Sequence, residues 1–184
     1  MLIFHDLKLI QIIVPRTGSN SFRRALIPKY PNTKWVQLPI SDDIRKLSIA
    51  TMPGHYTARQ AKMLINNDIW NTYEKIGFVR HPYNWLKSIY NQNGVKQILG
   101  QKIDTSLSEF VHDFNKTPYD WFVDENGEVM INTIYCTENL NKILLKYDVP
   151  SMHINESQNP TSEEFTVDDI TIIKKKFHRE FEHY

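Results

Sequence analysis

Apolar positions in this chain fall in two spacings, and the order in which they come suggests strand and helix in turn. Leu7 to Val14 is a short apolar run that stops at Pro15. A polar turn follows, Arg16-Thr17-Gly18-Ser19-Asn20, and from Ser21 to Ile27 the apolar residues Phe22, Ala25 and Leu26 stand at helical spacing. The succession returns at Lys75 to Val79: a short strand, the turn Arg80-His81-Pro82, then a helix from about Asn84 carrying Trp85, Leu86 and Ile89. Two strand-turn-helix units predict an α/β fold with a central, mainly parallel sheet flanked by helices. Between them Lys34 to Leu38 reads as a strand, Ser41 to Ser48 as a helix, and another helix begins near Thr57, after Gly54-His55-Tyr56.

Further along, Ser106 and Glu109 form a capping box ahead of Phe110, Val111 and Phe114. Asn126-Gly127, between Trp121-Phe122-Val123 and Val129-Met130-Ile131, reads as a hairpin turn. The remainder reads as helical, with Leu140, Ile143, Leu144 and Tyr147 on one face and Ile170, Ile173, Phe177 and Phe181 along the last helix. No repeat, low-complexity tract or linker interrupts the pattern, so a single domain over residues 1–184 is expected. Trp35, Trp70, Trp85 and Trp121 are expected in the core. Lys174-Lys175-Lys176 reads as the solvated face of the last helix, with Glu163, Glu164, Asp168 and Asp169 as its acidic amino-terminal side.

Charge and cysteine content narrow the functions open to such a fold. With 22 basic and 21 acidic side chains, nothing global argues for nucleic acid or an anionic membrane surface, so any anion site has to be built locally. The single cysteine, Cys136, excludes an intramolecular disulfide and a cysteine-cluster metal site. LKLIQIIV is too short to span a bilayer, and no small-residue cleavage pattern follows it; a soluble, cytoplasmic protein is expected.

The local anion site is the first turn. A strand that ends in Pro15-Arg16-Thr17-Gly18-Ser19-Asn20-Ser21 and turns into a helix gathers backbone N–H groups, hydroxyls and a guanidinium around one point. Gly18 allows close backbone approach, and Arg16 adds a full positive charge. A Walker A loop would need two glycines and a Lys-Ser/Thr pair that are absent, which disfavours ATP or GTP hydrolysis. The plain structural alternative is a strand-to-helix turn capped by Ser19. In the second turn, Arg80 stands at a strand end and Ser88 about two helical turns on; alone, they read more readily as a surface ion pair and a solvated helix serine.

Together the two turns resemble the donor site of sulfotransferases that use 3'-phosphoadenosine 5'-phosphosulfate (PAPS). VPRTGSNSF is similar to that family's 5'-phosphosulfate loop, with Arg16 where most members have lysine and Asn20 where a hydroxyl residue is usual. Phe78-Val79-Arg80-His81-Pro82-Tyr83-Asn84-Trp85-Leu86-Lys87-Ser88 resembles its 3'-phosphate motif. Gly54-His55-Tyr56-Thr57, Glu138-Asn139-Leu140, His153-Ile154-Asn155-Glu156-Ser157 and the aromatic segment Phe177 to Tyr184 follow in the order of the carbohydrate-type branch. The resemblance implies a P-loop-like three-layer fold. It also implies that Arg16, Thr17, Gly18, Ser19, Asn20 and Ser21 hold the 5'-phosphosulfate, that Arg80 and Ser88 hold the 3'-phosphate, and that PAP, the desulfated donor, is released.

Sulfuryl transfer requires no metal. It needs an acceptor oxygen in line with the leaving phosphate, charge stabilisation there, and a base for the acceptor proton. Arg16 suits the electrostatic role because a guanidinium stays protonated. His55 is the expected base, since imidazole titrates near neutrality and relatives in the resembled family use a histidine in a Gly-His element. Among the other histidines, His81 reads as orienting the second turn. His178 and His183 enclose Arg179-Glu180-Phe181-Glu182, which is not a His-Glu-x-x-His zinc motif. A saccharide hydroxyl is the first expectation for the acceptor. The alternatives are a P-loop-like nucleotide or metabolite kinase and a non-catalytic nucleotide-binding module.

Overall fold

The apolar run that stops at Pro15 does form a strand, and it has a partner that the spacing did not reveal. In a computed structural model, which describes residues 1–36, 54–102, 104–151 and 162–184, β1 (Leu2–Phe4) folds back antiparallel on β2 (Leu9–Ile12). The reversal between them is closed by Leu7 N on the Phe4 carbonyl and Lys8 N on that of His5, with Lys8 at φ 48°. β3 (Thr33–Trp35) runs antiparallel along the outer edge of β1. On the other side β4 (Glu74–Val79) lies parallel to β2, and β5 (Thr133–Cys136) lies parallel to β4.

The five-stranded sheet therefore has the order β3-β1-β2-β4-β5 and is mixed, not mainly parallel. The physical reason lies in the connections. Crossovers containing helices lead into β4 and β5 and make parallel neighbours, whereas the tight turn after β1 can only make an antiparallel one. β5 falls in a stretch that the helical spacing had claimed; its four residues are all half-buried, so no alternation marks it as a strand.

Strand alternation separates two cores. Ile10 and Ile12 meet Trp85, Leu86 and Ile89 of α4 (Pro82–Tyr90), Phe110 and Val111 of α6 (Leu107–Asp113) and Ile173 of α8 (Val167–Lys176). Leu9 and Ile13 meet Phe22 and Leu26 of α1 (Ser19–Leu26) and Leu140, Ile143 and Leu144 of α7 (Leu140–Leu145). Helices thus cover both faces of the sheet. Gln11 lies between Leu9 and Ile13, fully buried, and among the described residues neither polar atom of its amide has a partner. Gly77 of β4 is required for packing: a Cβ there would stand 2.3 Å from the ring of Phe122.

Helix starts follow their capping signals. α2 (Ala58–Leu64) begins on a reciprocal Thr57/Gln60 box and α6 on the Ser106/Glu109 box, while α3 (Asn67–Thr72) is capped by Asn66 and α5 (Asn93–Ile98) has no side-chain cap. The expected hairpin around Asn126-Gly127 shrinks to one antiparallel bridge, Val123 to Val129, because Trp121 and Phe122 are drawn into a 3₁₀ turn and buried. The last helix is broken at Phe177, whose backbone (φ −109°, ψ 26°) leaves the helical region before α9 (His178–Phe181).

Two expected surface charges are tied into the packing between helices. Lys176 Nζ donates to the carbonyls of Val111, His112 and Phe114, closing the end of α6, and Asp169 is fully buried, accepting from Ser108 Oγ at 2.7 Å. Trp70, Trp85 and Trp121 are buried as expected, but Trp35 is half-buried. Ser41 to Ser48, the end of the Lys34 to Leu38 run and His153 to Ser157 lie outside the described residues. Among the described residues no helix is long and apolar enough to cross a membrane.

Candidate functional site

Parallel neighbours end at the same edge of a sheet, so the turns after β2, β4 and β5 lie side by side. Short polar bonds fix them to one another. Trp85 Nε1, on α4, donates to the Pro15 carbonyl at 2.8 Å. Thr17 Oγ1 donates to the Val14 carbonyl at 3.0 Å. Thr137, just past β5, has its hydroxyl 2.7 Å from the Thr17 carbonyl oxygen and 2.8 Å from that of Val79, so one proton ties three turns together. Gly18 is left-handed (φ 74°) and pressed so close that a Cβ would stand 2.7 Å from Thr137 Cγ2. Only glycine fits there.

Arg16 is also left-handed, at φ 64°, a conformation that costs a residue with a Cβ about 1–2 kcal/mol. Its Nε donates to Ser88 Oγ at 2.8 Å, a bond from the first turn to the helix after the second. Gly18 is the N-cap of α1 and supplies no side-chain cap, and the first turn holds no acidic residue. The first backbone bond of this end is Phe22 N to the Gly18 carbonyl; the N–H groups of Ser19, Asn20 and Ser21 have no acceptor among the described residues. Ser19 is therefore not the cap that the plain reading made it. Three free N–H donors and the positive end of the helix face a cavity of about 420 Å³, a volume suited to a nucleotide-sized ligand.

Its wall is made by Arg16, Gly18, Ser19, Asn20, Ser21 and Arg24 from the first turn and α1, and by Ile13, Trp35 and His55 on the β3 side. Arg80, Asn84, Thr137 and Glu138 close the β5 side. Burial, and for Arg16 the neighbouring Arg80, lower the pKa of both guanidiniums, yet both remain charged at neutral pH. Two like charges held together and partly desolvated are a standing attraction for a polyanion. Glu138 offsets the burial of Arg80, and its carboxylate is itself held: Oε1 accepts from His81 N at 3.0 Å and Oε2 from the Tyr184 hydroxyl at 2.5 Å. The His81 ring packs edge-on against Phe181 and Tyr184.

His55 reaches the cavity from the segment before α2. The Met1 nitrogen donates to the Gly54 carbonyl, and Trp121 Nε1 donates to the His55 carbonyl at 3.2 Å. The ring Nδ1 lies 3.1 Å from the Ile13 carbonyl oxygen. A carbonyl can only accept, so Nδ1 carries the proton, and in the neutral ring Nε2 is left as the lone-pair nitrogen. Burial lowers the pKa of His55, opposed by the Ile13 bond, and so favours that neutral form.

Of the residues expected from sequence, Arg16, Gly18, Ser19, Asn20, Ser21, His55 and Arg80 meet on this one wall. Thr17 and Ser88 do not: both are buried behind it, Thr17 closing the turn and Ser88 holding Arg16. Sequence reasoning missed Arg24, Trp35, Asn84, Thr137 and Glu138 as wall residues. Helical spacing could have found two of them, since Arg24 lies one turn beyond Asn20 and Asn84 one turn before Ser88. No family model matches the chain, and neither a curated protein nor a solved structure matches it. Among the described residues no group of three or more His, Cys, Asp or Glu is placed to hold a metal ion.

Proposed function

We propose that this protein transfers a sulfuryl group from PAPS to an acceptor hydroxyl, a saccharide hydroxyl first among the candidates, and releases PAP. The observation that carries the proposal is the meeting of the two turns in one cavity. Arg16, the N–H groups of Ser19 to Ser21, Arg80 and His55 all line that cavity. A donor with phosphates at its 5' and 3' ends calls for cationic groups at both, and Arg16 and Arg80 are two such groups lining one cavity. The parallel pair β2 and β4, each followed by a polar turn and a helix, is compatible with a P-loop-like fold.

In this reading the acceptor oxygen attacks sulfur while its proton passes to His55 Nε2, the nitrogen left free by the Ile13 bond. The bond from sulfur to the 5'-phosphate oxygen breaks, and the charge gathering on that oxygen is met by Arg16 and by the start of α1. Arg16 acts by charge alone, since its guanidinium keeps its protons. Arg80 holds the 3'-phosphate.

Incubation with PAPS and a panel of saccharide, phenolic and alkyl hydroxyl acceptors, with PAP release measured, tests the proposal. Acceptor-dependent PAP formation is expected. Transfer of phosphate from ATP to the same acceptors would replace the reading by a kinase, and tight PAP binding with no turnover on any acceptor would make the chain a nucleotide-binding module.

A further inference from the structure

Four polar side chains stand on the β5 half of the cavity wall: Arg80, Asn84, Thr137 and Glu138. Two are already spent. The Thr137 hydroxyl proton is shared between the Thr17 and Val79 carbonyls, and Glu138 is an acceptor whose oxygens take His81 N–H and the Tyr184 hydroxyl. Donors for an anion therefore remain on Arg80 and Asn84 alone of the four. Asn84 is exposed, in the first turn of α4, and among the described residues its amide has no partner. Ser88, four residues on along the same helix face, is 3% exposed, lies off the wall, and has its oxygen engaged by Arg16 Nε at 2.8 Å.

We propose that Asn84 is the α4 residue that contacts the phosphate held by Arg80, and that Ser88 reaches the ligand only through Arg16. The assignment rests on the PAPS reading and refines it: the 3'-phosphate is read by a guanidinium and a carboxamide, the 5' end by a guanidinium that Ser88 positions. The carboxamide offers two N–H donors to phosphate oxygen and carries no charge, so it complements Arg80 without adding to the repulsion between Arg80 and Arg16.

The two roles separate in a comparison of PAP with AMP, which differ only in the 3'-phosphate. Kd values from calorimetry on the wild type, Asn84→Ala, Asn84→Asp and Ser88→Ala give the ratio directly, independent of any change in the stability of a variant. Asn84→Ala should weaken PAP by about tenfold or more, the size expected for a hydrogen bond to a charged group, while AMP stays within about twofold. Asn84→Asp, which sets a carboxylate against the phosphate, should weaken PAP further. Ser88→Ala should weaken PAP and AMP together and leave their ratio unchanged, because its effect passes through Arg16 at the 5' end. Collapse of the ratio in Ser88→Ala with an intact ratio in Asn84→Ala would overturn the assignment and leave the PAPS reading standing. A wild type that binds PAP no better than AMP would reject that reading, and the assignment with it.

Discussion

Replacing His55 with alanine removes the group proposed to take the acceptor proton and leaves the rest of the site in place. The backbone contacts of this segment survive the change, since Trp121 Nε1 and the Met1 nitrogen bond to carbonyl oxygens. In the proposed reading the donor is gripped elsewhere, by Arg16, the start of α1 and Arg80. The expected loss is therefore in kcat, by about 10²–10⁴, the usual contribution of a positioned base and equivalent to about 3–5 kcal/mol of transition-state stabilisation. PAP affinity should stay near that of the wild type. Asn is the sharper variant: its amide can still donate to the Ile13 carbonyl but has no basic nitrogen, so it should bind PAP normally and remain slow.

The pH profile adds a second readout. Burial moves the His55 pKa below the ordinary 6.5, so the wild-type rate should hold through neutrality and fall only as pH drops below that value and the ring takes up its proton. His55→Ala should lack this acid limb. PAP formation from PAPS with a saturating acceptor, followed from pH 5 to 8 under conditions in which chemistry is rate-limiting, gives both quantities. The reasoning fails if the variant keeps more than about a third of wild-type kcat, or if PAP affinity falls in parallel with rate; His55 would then be structural.

Arg16→Ala should lower kcat more than it lowers PAP affinity, because the guanidinium meets charge that grows on the leaving phosphate; a variant with wild-type kcat would remove Arg16 from the chemistry. Arg16→Lys should keep substantial activity but lose the Nε bond to Ser88, which steady-state kinetics would show as a modest fall in kcat. In the core, Gln11→Met should raise the unfolding free energy by about 1–3 kcal/mol in urea titrations, since it removes a buried amide that has no partner among the described residues; destabilisation would mean that the amide is bonded after all.

What was legible in the sequence was local. A strand that ends at Pro15 and one that ends before Arg80 announce themselves by apolar runs and turn residues, and the Ser106/Glu109 box marks a helix start within one residue. What was hidden depends on partners. β1 is three residues long and becomes a strand only by pairing with β2 and β3, and β5, with all four residues half-buried, has no alternation to mark it. Trp121 and Phe122 look like strand residues by propensity, but both are buried at the end of a 3₁₀ turn, Phe122 against Gly77 of β4. At the site, residue types announced the two polar turns that line the cavity, whereas Thr17, Ser88 and Asn84 could not be sorted into wall and support. That distinction lies in which way a hydroxyl or amide faces, and it follows from contacts between elements far apart in the chain. Lys176 illustrates the same limit, since only the position of α6 turns a surface lysine into a cap.

The central claim is that the cavity is built for a nucleotide carrying phosphates at both ends, and one binding comparison addresses it directly: PAP, AMP, ATP and GTP titrated into the wild type and into Arg80→Ala. Ligand that binds the folded state also raises the melting temperature, so calorimetric Kd values and thermal shifts should agree. PAP should bind most tightly to the wild type, and Arg80→Ala should lose about tenfold to more than a hundredfold in PAP affinity while its AMP affinity changes little. Equal affinity for PAP and AMP, or tighter binding of ATP or GTP than of PAP, would contradict the account.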